Sequence, residues 1–246
     1  MTELATLPTR RDEAFRYSDL AALAGVWPVV REEVLVPSGQ RTALAVVEDD
    51  GVAAVARHLV IELEAGAEFD LRILNCGAAF GRVAVDVQLG QGARFTMGAA
   101  QLGGGKQTLE IVTEVTHLEP GAVSRQTIRS VLAGQATGTY LGRVSVARGA
   151  DGTDAGQSVR AMLLDPTATA NARPELEIFA DDVKCAHGCA VGELDAMGLF
   201  YLESRGLSPA QAKRLMLQAF VAEAFAGAPD EERLQALALA RLEALV

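Results

Sequence analysis

Apolar and polar residues alternate along the middle of the chain. The alternating apolar positions fall in four short runs: Leu59, Ile61, Leu63; Phe69, Leu71, Ile73; Val83, Val85, Val87, Leu89; and Leu109, Ile111, Val115. A period of two over short runs is typical of β-strands. Further strands are predicted at Thr127–Leu132, Tyr140–Val146 and Val159–Leu164.

Three of these runs end in the same turn pattern, Leu-x-x-Gly-Ala. Its glycines, Gly66, Gly92 and Gly121, are 26 and 29 residues apart, and repeats of this length are typical of stacked coils. The pattern predicts a mainly β fold, a parallel β-solenoid, in which each glycine takes a corner of positive φ. A β-sandwich is the alternative, because regularly spaced turns suit that fold too.

Beyond about residue 190 the apolar period becomes helical. Asp195 is predicted to cap a helix that ends at Gly206. Ser208 and Gln211 have the spacing of a capping box and start a second helix. A third helix carries apolar residues at helical spacing between residues 234 and 245.

Three regions follow: a short lead-in at residues 1–37, the solenoid core at 38–190 and a C-terminal α-helical domain at 191–246. Within the lead-in, a helix is predicted at 11–23 and an extended segment at 26–36. We expect the last coil of the solenoid to expose an unpaired strand edge, which must be covered or bind another chain.

Composition narrows the choice of partners and compartment. The 246 residues are 50% apolar and carry a formal charge of −10, which argues against nucleic acid or an anionic membrane as the main partner. The start of the sequence lacks the pattern of a secretory signal. Three cysteines do not form a disulfide framework, so we expect a reducing cytoplasm.

Candidate chemistry is concentrated at Cys185, His187 and Cys189, which are spaced by two. If the segment is extended, all three side chains project from one face. Thiolate and imidazole suit zinc, copper and iron–sulfur chemistry, and Lys184 is expected to lower the thiol pKa. The alternative is structural, because free cysteines often serve as small buried hydrophobes.

The remaining histidines and the third cysteine are interpreted as structural. His58 and His117 are expected to be hydrogen-bonded or solvated, and Cys76 to be an inert small residue. The glycine-rich segment at residues 103–106 lacks the spacing and the Ser/Thr of a phosphate-binding loop. Any ATP would therefore be bound by a partner.

Two motifs resemble the C-terminal signature of the SufB/SufD family of iron–sulfur cluster assembly proteins. They are Lys-Cys-x-His-Gly at residues 184–188 and Phe-Tyr-Leu-x-Ser-Arg-Gly at residues 200–206, and the resemblance extends over about residues 40–225. It implies a right-handed parallel β-helix followed by a helical domain. It also implies a non-catalytic scaffold subunit, a SUF-system protein, with a shortened N-terminal region.

The resemblance further implies partners and cargo. SufB, or a second copy of the chain, would bind the terminal coil, and the ABC-type ATPase SufC would bind the C-terminal helices. A transient iron–sulfur cluster would be held at the interface between subunits. Cys185 and His187 match the family's cysteine and histidine, whereas Cys189 replaces the usual alanine and is a candidate third ligand.

Two other functional classes remain open at this point. One is a β-helix enzyme acting on a carbohydrate or acyl group, with His187 as base or Cys185 as nucleophile. The other is a purely structural solenoid subunit whose cysteines and histidine have no chemical role.

Overall fold

The computed structural model describes residues 6–245. A 3-10 turn (Glu13–Phe15) and the short helix α1 (Leu20–Ala24) precede the strands. The strands are β1 (Arg31–Val36), β2 (Arg41–Glu48), β3 (Ala54–Leu63), β4 (Glu68–Asn75), β5 (Phe80–Leu89), β6 (Arg94–Gly103), β7 (Thr108–His117), β8 (Val123–Leu132), β9 (Thr137–Val146), β10 (Asp154–Leu163), β11 (Thr169–Ile178) and β12 (Lys184–Gly192). The helices α2 (Ala196–Ser204), α3 (Pro209–Ala222) and α4 (Glu231–Glu243) follow.

The strands alternate between two six-stranded sheets. Sheet A contains the odd-numbered strands from β1 to β11, and sheet B the even-numbered strands from β2 to β12. All neighbours pair in parallel, whereas the strands of a sandwich of this kind would be antiparallel. The prediction of a mainly β, parallel β-solenoid with C-terminal helices is confirmed.

The solenoid begins earlier than residue 38. Strand β1 pairs with β3 and lies inside the segment predicted to be the lead-in. The last residue of β1, Val36, is buried in the core between the sheets. Strand β1 therefore belongs to the first coil.

Side chains at alternate positions of each strand stack into columns between the two sheets. One column of sheet B runs through Val46, Ile73, Ala99, Ile128 and Val159, which are in register and buried. Each fully buried branched side chain contributes roughly 1.5–3 kcal/mol. The identical period of successive strands therefore creates one continuous core along the solenoid.

The repeated glycines occupy the predicted corners, with φ of 67° at Gly66, 63° at Gly92 and 75° at Gly121. The third repeat differs in one respect. Strand β7 ends at His117, so His117 is in register with Leu89 and buried, while Leu118 is exposed. The turn after β7 is one residue longer than the turn after β5. The leucine of this repeat therefore lies in the turn, after the last residue of the strand, and not in the core.

The lead-in covers the outer face of sheet A. Ser18 donates a hydrogen bond to the Glu110 carboxylate at 2.8 Å, and Glu110 forms an ion pair with Arg82. Arg82 also donates to the Ala14 carbonyl at 3.0 Å, and its guanidinium lies 4.2 Å from the centre of the Phe15 ring. A buried charged cluster thus fixes the lead-in to the solenoid.

The helix predicted at residues 11–23 is wrong in its extent. Only the 3-10 turn and α1 are helical there. The Asp19 carboxylate accepts hydrogen bonds from the backbone N–H groups of Ala21 and Ala22, each at 3.1 Å. This cap makes the helix begin at Leu20, after the chain has brought Ser18 against sheet A.

Helices α3 and α4 cover the outer face of sheet B. Their buried apolar residues Leu217, Val221, Leu234 and Leu242, together with Phe225 of the segment between the two helices, pack against the sheet residues Leu74, Ala100, Leu102 and Val131. The predicted capping box is confirmed, with Ser208 and Gln211 each bonded to the other's backbone N–H. None of the helices within residues 6–245 has both the length and the apolar character needed to cross a membrane.

Polar contacts reinforce this packing. Arg129 of β8 forms an ion pair with Glu223 at the end of α3. Arg72 of β4 donates to the Ala224 carbonyl at 2.8 Å. The helical region is therefore attached to the solenoid by hydrogen bonds as well as by apolar contacts.

Candidate functional site

Strand β12 is the last strand of sheet B. It pairs with β10 on one side, and within residues 6–245 no strand pairs with its other edge. Strand β11 has the same position in sheet A, where it pairs with β9 alone. The final coil therefore presents two unpaired parallel edges, which are open to strand addition.

The three candidate ligands lie at alternate positions of β12. Cys185 and Cys189 are in register with Ala155 and Val159, which belong to the core between the sheets. Cys185 is half-buried against that core, whereas His187 and Cys189 are exposed. The three residues thus continue the inward columns, and His187 and Cys189 are exposed because no further coil covers them within the part of the chain that the structure describes.

The thiols are not activated by their surroundings. Burial raises the pKa of Cys185, and the charge of Asp154 adds to that rise, although a backbone hydrogen bond from Ala155 opposes it. Burial also raises the pKa of Cys189. The expectation that Lys184 lowers the thiol pKa is wrong, because Lys184 is in register with Asp154 and acts on that carboxylate. Metal binding at these thiols must therefore release protons.

One chain does not supply a complete metal site. Within residues 6–245 no group of three or more His, Cys, Asp or Glu side chains is arranged to hold a metal ion. The Cys189 thiol lies 3.9 Å from the Ala172 carbonyl oxygen of β11, so it is directed across the end of the solenoid. Further ligands would have to come from whatever covers the final coil.

The other titratable candidates lie elsewhere. His58 is paired with Asp86 at 2.8 Å. His117 is buried, contacts the Ser124 hydroxyl at 2.9 Å, and has a pKa lowered by burial to about 4. Cys76 is buried, which raises its pKa to about 11. The surroundings of His58, His117 and Cys76 thus fit the structural roles that the sequence predicts for them.

The sequence interpretation missed a polar cluster directly below the candidate ligands. Gln157 is in register with His187 and is only 4% exposed. Beneath it lie Gln126 and, on sheet A, Tyr140 and Thr113, all buried. The available signal was the occurrence of glutamines at positions where the strand period predicts apolar inward residues.

An exposed apolar patch lies on the helical region. Met197, Phe200 and Tyr201 of α2 are 71%, 66% and 56% exposed, and Leu215 of α3 is also exposed. The three α2 residues are spaced i, i+3 and i+4, so they share one helix face. An apolar stripe of this kind is typical of a binding surface.

Comparison with known proteins identifies the relatives of this chain. The family model described as SUF system FeS cluster assembly, SufBD core domain, matches residues 31–220. Protein ABCI7, chloroplastic, of Arabidopsis thaliana is 33% identical over 205 residues, covering 81% of this chain and 43% of that protein. Iron-sulfur cluster assembly protein SufD is 36% identical in Escherichia coli, covering 44% of this chain and 26% of that protein. In Bacillus subtilis it is 28% identical, covering 63% and 35%. This chain spans less than half the length of each of these relatives.

Proposed function

Because this chain belongs to the SufBD family of SUF-system iron–sulfur cluster assembly proteins, we propose that it is a SufD-like subunit of the scaffold on which clusters are built. The observation that carries the proposal is the final coil, where Cys185, His187 and Cys189 lie on an unpaired strand edge. The cluster is the cargo of this site, and the chain is a scaffold subunit with no catalytic role of its own.

The incomplete ligand set supports assembly at an interface. A second chain, SufB or another copy of this one, would add a strand to the final coil and bring the missing ligands. Exposed apolar residues of that coil, Ile178, Phe179 and Val191, favour such an interface. The chemistry is that of iron held by imidazole and thiolate, with positions left open for sulfide.

We assign His187 and Cys185 as the ligands, with Cys189 as a third. The imidazole of His187 is exposed and makes no hydrogen bond within the described residues 6–245, so at least one ring nitrogen is open to iron. The half-buried Cys185 binds as thiolate and releases its proton when the metal arrives.

The exposed patch on α2 is the proposed contact for SufC, the ATPase that hydrolyses ATP for the complex. The helical region is joined to sheet B by Arg129–Glu223 and by Arg72. A displacement of the helices by the ATPase would therefore act on the solenoid that carries the ligands.

The test of the ligand assignment is anaerobic co-expression with SufB and SufC from the same source. We expect the His187→Ala complex to purify intact with iron–sulfur absorption in the visible range strongly reduced. His58→Ala is the matched control, because it removes a histidine from the outer face of sheet A and should retain the cluster. Equal cluster content in wild type and His187→Ala would contradict the assignment.

The same complex tests the two contacts by lysine cross-linking. Lys184 lies on the final coil and Lys213 on α3, while Lys106 lies in a turn between β6 and β7. We expect cross-links from Lys184 to SufB or to a second copy, and from Lys213 to SufC. A cross-linking map that never includes Lys184 would refute the interface at the final coil.

Point substitution tests the ATPase contact better than removal of residues 208–246, which would expose the apolar face of sheet B. We expect Phe200→Asp to abolish SufC capture in a pull-down. Leu35→Asp is the control, because Leu35 is 58% exposed on the first strand of the solenoid. Retained capture by Phe200→Asp would refute the patch as the contact.

A further inference from the structure

A hydrogen-bonded polar cluster lies inside the solenoid, one coil below the candidate ligands. The Thr113 hydroxyl donates to Gln126 Oε1 at 3.0 Å. The Tyr140 hydroxyl lies 3.3 Å from the same oxygen and 3.1 Å from the Thr113 hydroxyl. Gln157 Nε2 donates to the Tyr140 hydroxyl at 3.2 Å. These buried groups orient one another.

Tyr140 determines how the Gln157 amide is oriented. Burial raises the pKa of Tyr140, so its hydroxyl keeps its proton and donates it toward Gln126 Oε1. The tyrosine oxygen is then left as an acceptor, and Gln157 must present Nε2 to it.

The side-chain carbonyl oxygen of Gln157 has no hydrogen-bond donor in this cluster. Gln157 Oε1 is buried and makes no hydrogen bond within residues 6–245. A buried acceptor without a partner costs roughly 1–3 kcal/mol, so a native structure normally supplies a donor. The register places His187 on the neighbouring strand directly beside Gln157, and an imidazole N–H is such a donor.

We propose that Gln157 is a positioning residue: the exposed His187 side chain, which makes no hydrogen bond within residues 6–245, turns so that its ring N–H donates to Gln157 Oε1. The hydrogen bond selects one neutral tautomer and one ring orientation, which leaves the other ring nitrogen free for iron. Partners of this kind typically change metal affinity 10–100-fold. The consequence for iron rests on the proposed function, whereas the hydrogen bond itself does not.

The test is the tautomeric state of His187, measured by NMR on the full chain labelled with ¹⁵N-histidine at a pH where imidazoles are neutral. We expect one tautomer to dominate in wild type. Gln157→Met keeps the side-chain length and removes the acceptor, so His187 should change toward the mixture of a free peptide of residues 184–192. Gln157→Glu retains an acceptor and should preserve the wild-type tautomer.

Gln126→Met is the matched control. Gln126 lies in the same column, one strand further from His187, and bonds to Thr113 and to Tyr140, the tyrosine that also bonds to Gln157. It also has an unpartnered amide atom, Nε2, so its loss disturbs the cluster to a similar degree. We expect this variant to leave the His187 tautomer unchanged, with buried His117 as an internal reference in every spectrum.

Two results would overturn the proposal. One is a His187 tautomer that is the same in wild type and Gln157→Met. The other is an equal change in Gln126→Met, which would mean that the cluster as a whole acts on His187. A tautomer change confined to Gln157→Met, together with a His187→Ala complex that keeps its cluster, would support the hydrogen bond and refute the proposed function.

Discussion

Gly98 of β6 allows the helical region to contact sheet B. A Cβ atom added there would lie 1.7 Å from the Ala224 carbonyl oxygen and 2.5 Å from Arg72 Nη1. In Gly98→Ala, the residues after α3 must therefore move away from the sheet by more than about 1 Å, since overlap at this distance is sterically forbidden.

The free energy of that movement follows from two contributions. Overpacking of a well-packed interface costs roughly 1–3 kcal/mol. Loss of the hydrogen bond from the Arg72 guanidinium to the Ala224 carbonyl costs roughly 1.5–3 kcal/mol more, because the donor is charged. We expect Gly98→Ala to destabilise the docked helices by about 2.5–6 kcal/mol, a large share of the 5–15 kcal/mol typical of a domain.

The assay is urea unfolding combined with hydrogen exchange measured by mass spectrometry. We expect exchange to accelerate first in peptides from α3 and α4, ahead of the solenoid strands. Gly156→Ala is the control, because its Cβ would meet only the Arg125 side chain at 3.4 Å on the same face of sheet B. Wild-type exchange in the helices of Gly98→Ala would refute the steric argument.

Three further predictions concern the core and the thiols. Arg82→Met should destabilise the protein by roughly 3–5 kcal/mol in urea, because the buried Glu110 carboxylate loses its ion-pair partner. The pKa of His117 is lowered from 6.5 to about 4, so the contribution of His117 to stability should be fully present above about pH 6.5 and be lost toward pH 4, as the unfolded state binds a proton that the folded state cannot. His117→Gln should reduce the loss of stability between pH 6.5 and pH 4 by about 2–3 kcal/mol. Iodoacetamide should alkylate exposed Cys189 in the native protein and buried Cys76 only after unfolding, as read by mass spectrometry.

For each of these three predictions, one result would contradict it. Arg143→Met removes an exposed ion pair with Glu114 and should change stability by less than about 1 kcal/mol; an equal loss in Arg82→Met and Arg143→Met would show that burial does not matter. If the dependence of stability on pH is the same in His117→Gln as in wild type, the acid sensitivity comes from carboxylates and not from His117. Native alkylation of Cys76 at the rate of Cys189 would show that the chain directly after β4 opens readily.

Local pattern was sufficient for the strands of the solenoid, for the C-terminal helices and for part of the site, but not for the helix predicted at residues 11–23. Period-two apolar runs and repeated Gly-Ala turns are properties of neighbouring residues, and they correctly predicted stacked parallel coils. The Ser208 capping box likewise depends on four consecutive residues. The spacing of Cys185, His187 and Cys189 placed them on one strand, because alternate residues of any strand share a face.

Only the tertiary structure determined which residues lie next to each of these. Whether His117 or Leu118 enters the core depends on the register of β7 against β5, since neighbouring residues of a strand face opposite sides of the sheet. The position of Gln157 beside His187 depends on pairing between strands 30 residues apart. The pKa of Cys185 depends on burial against that core and on Asp154, and not on the adjacent Lys184. The sequence by itself thus determined the repeating coil and the presence of cysteine and histidine side chains on its last strand. The register between coils determined which buried groups lie against that strand, because register is set by contacts between residues far apart in the chain.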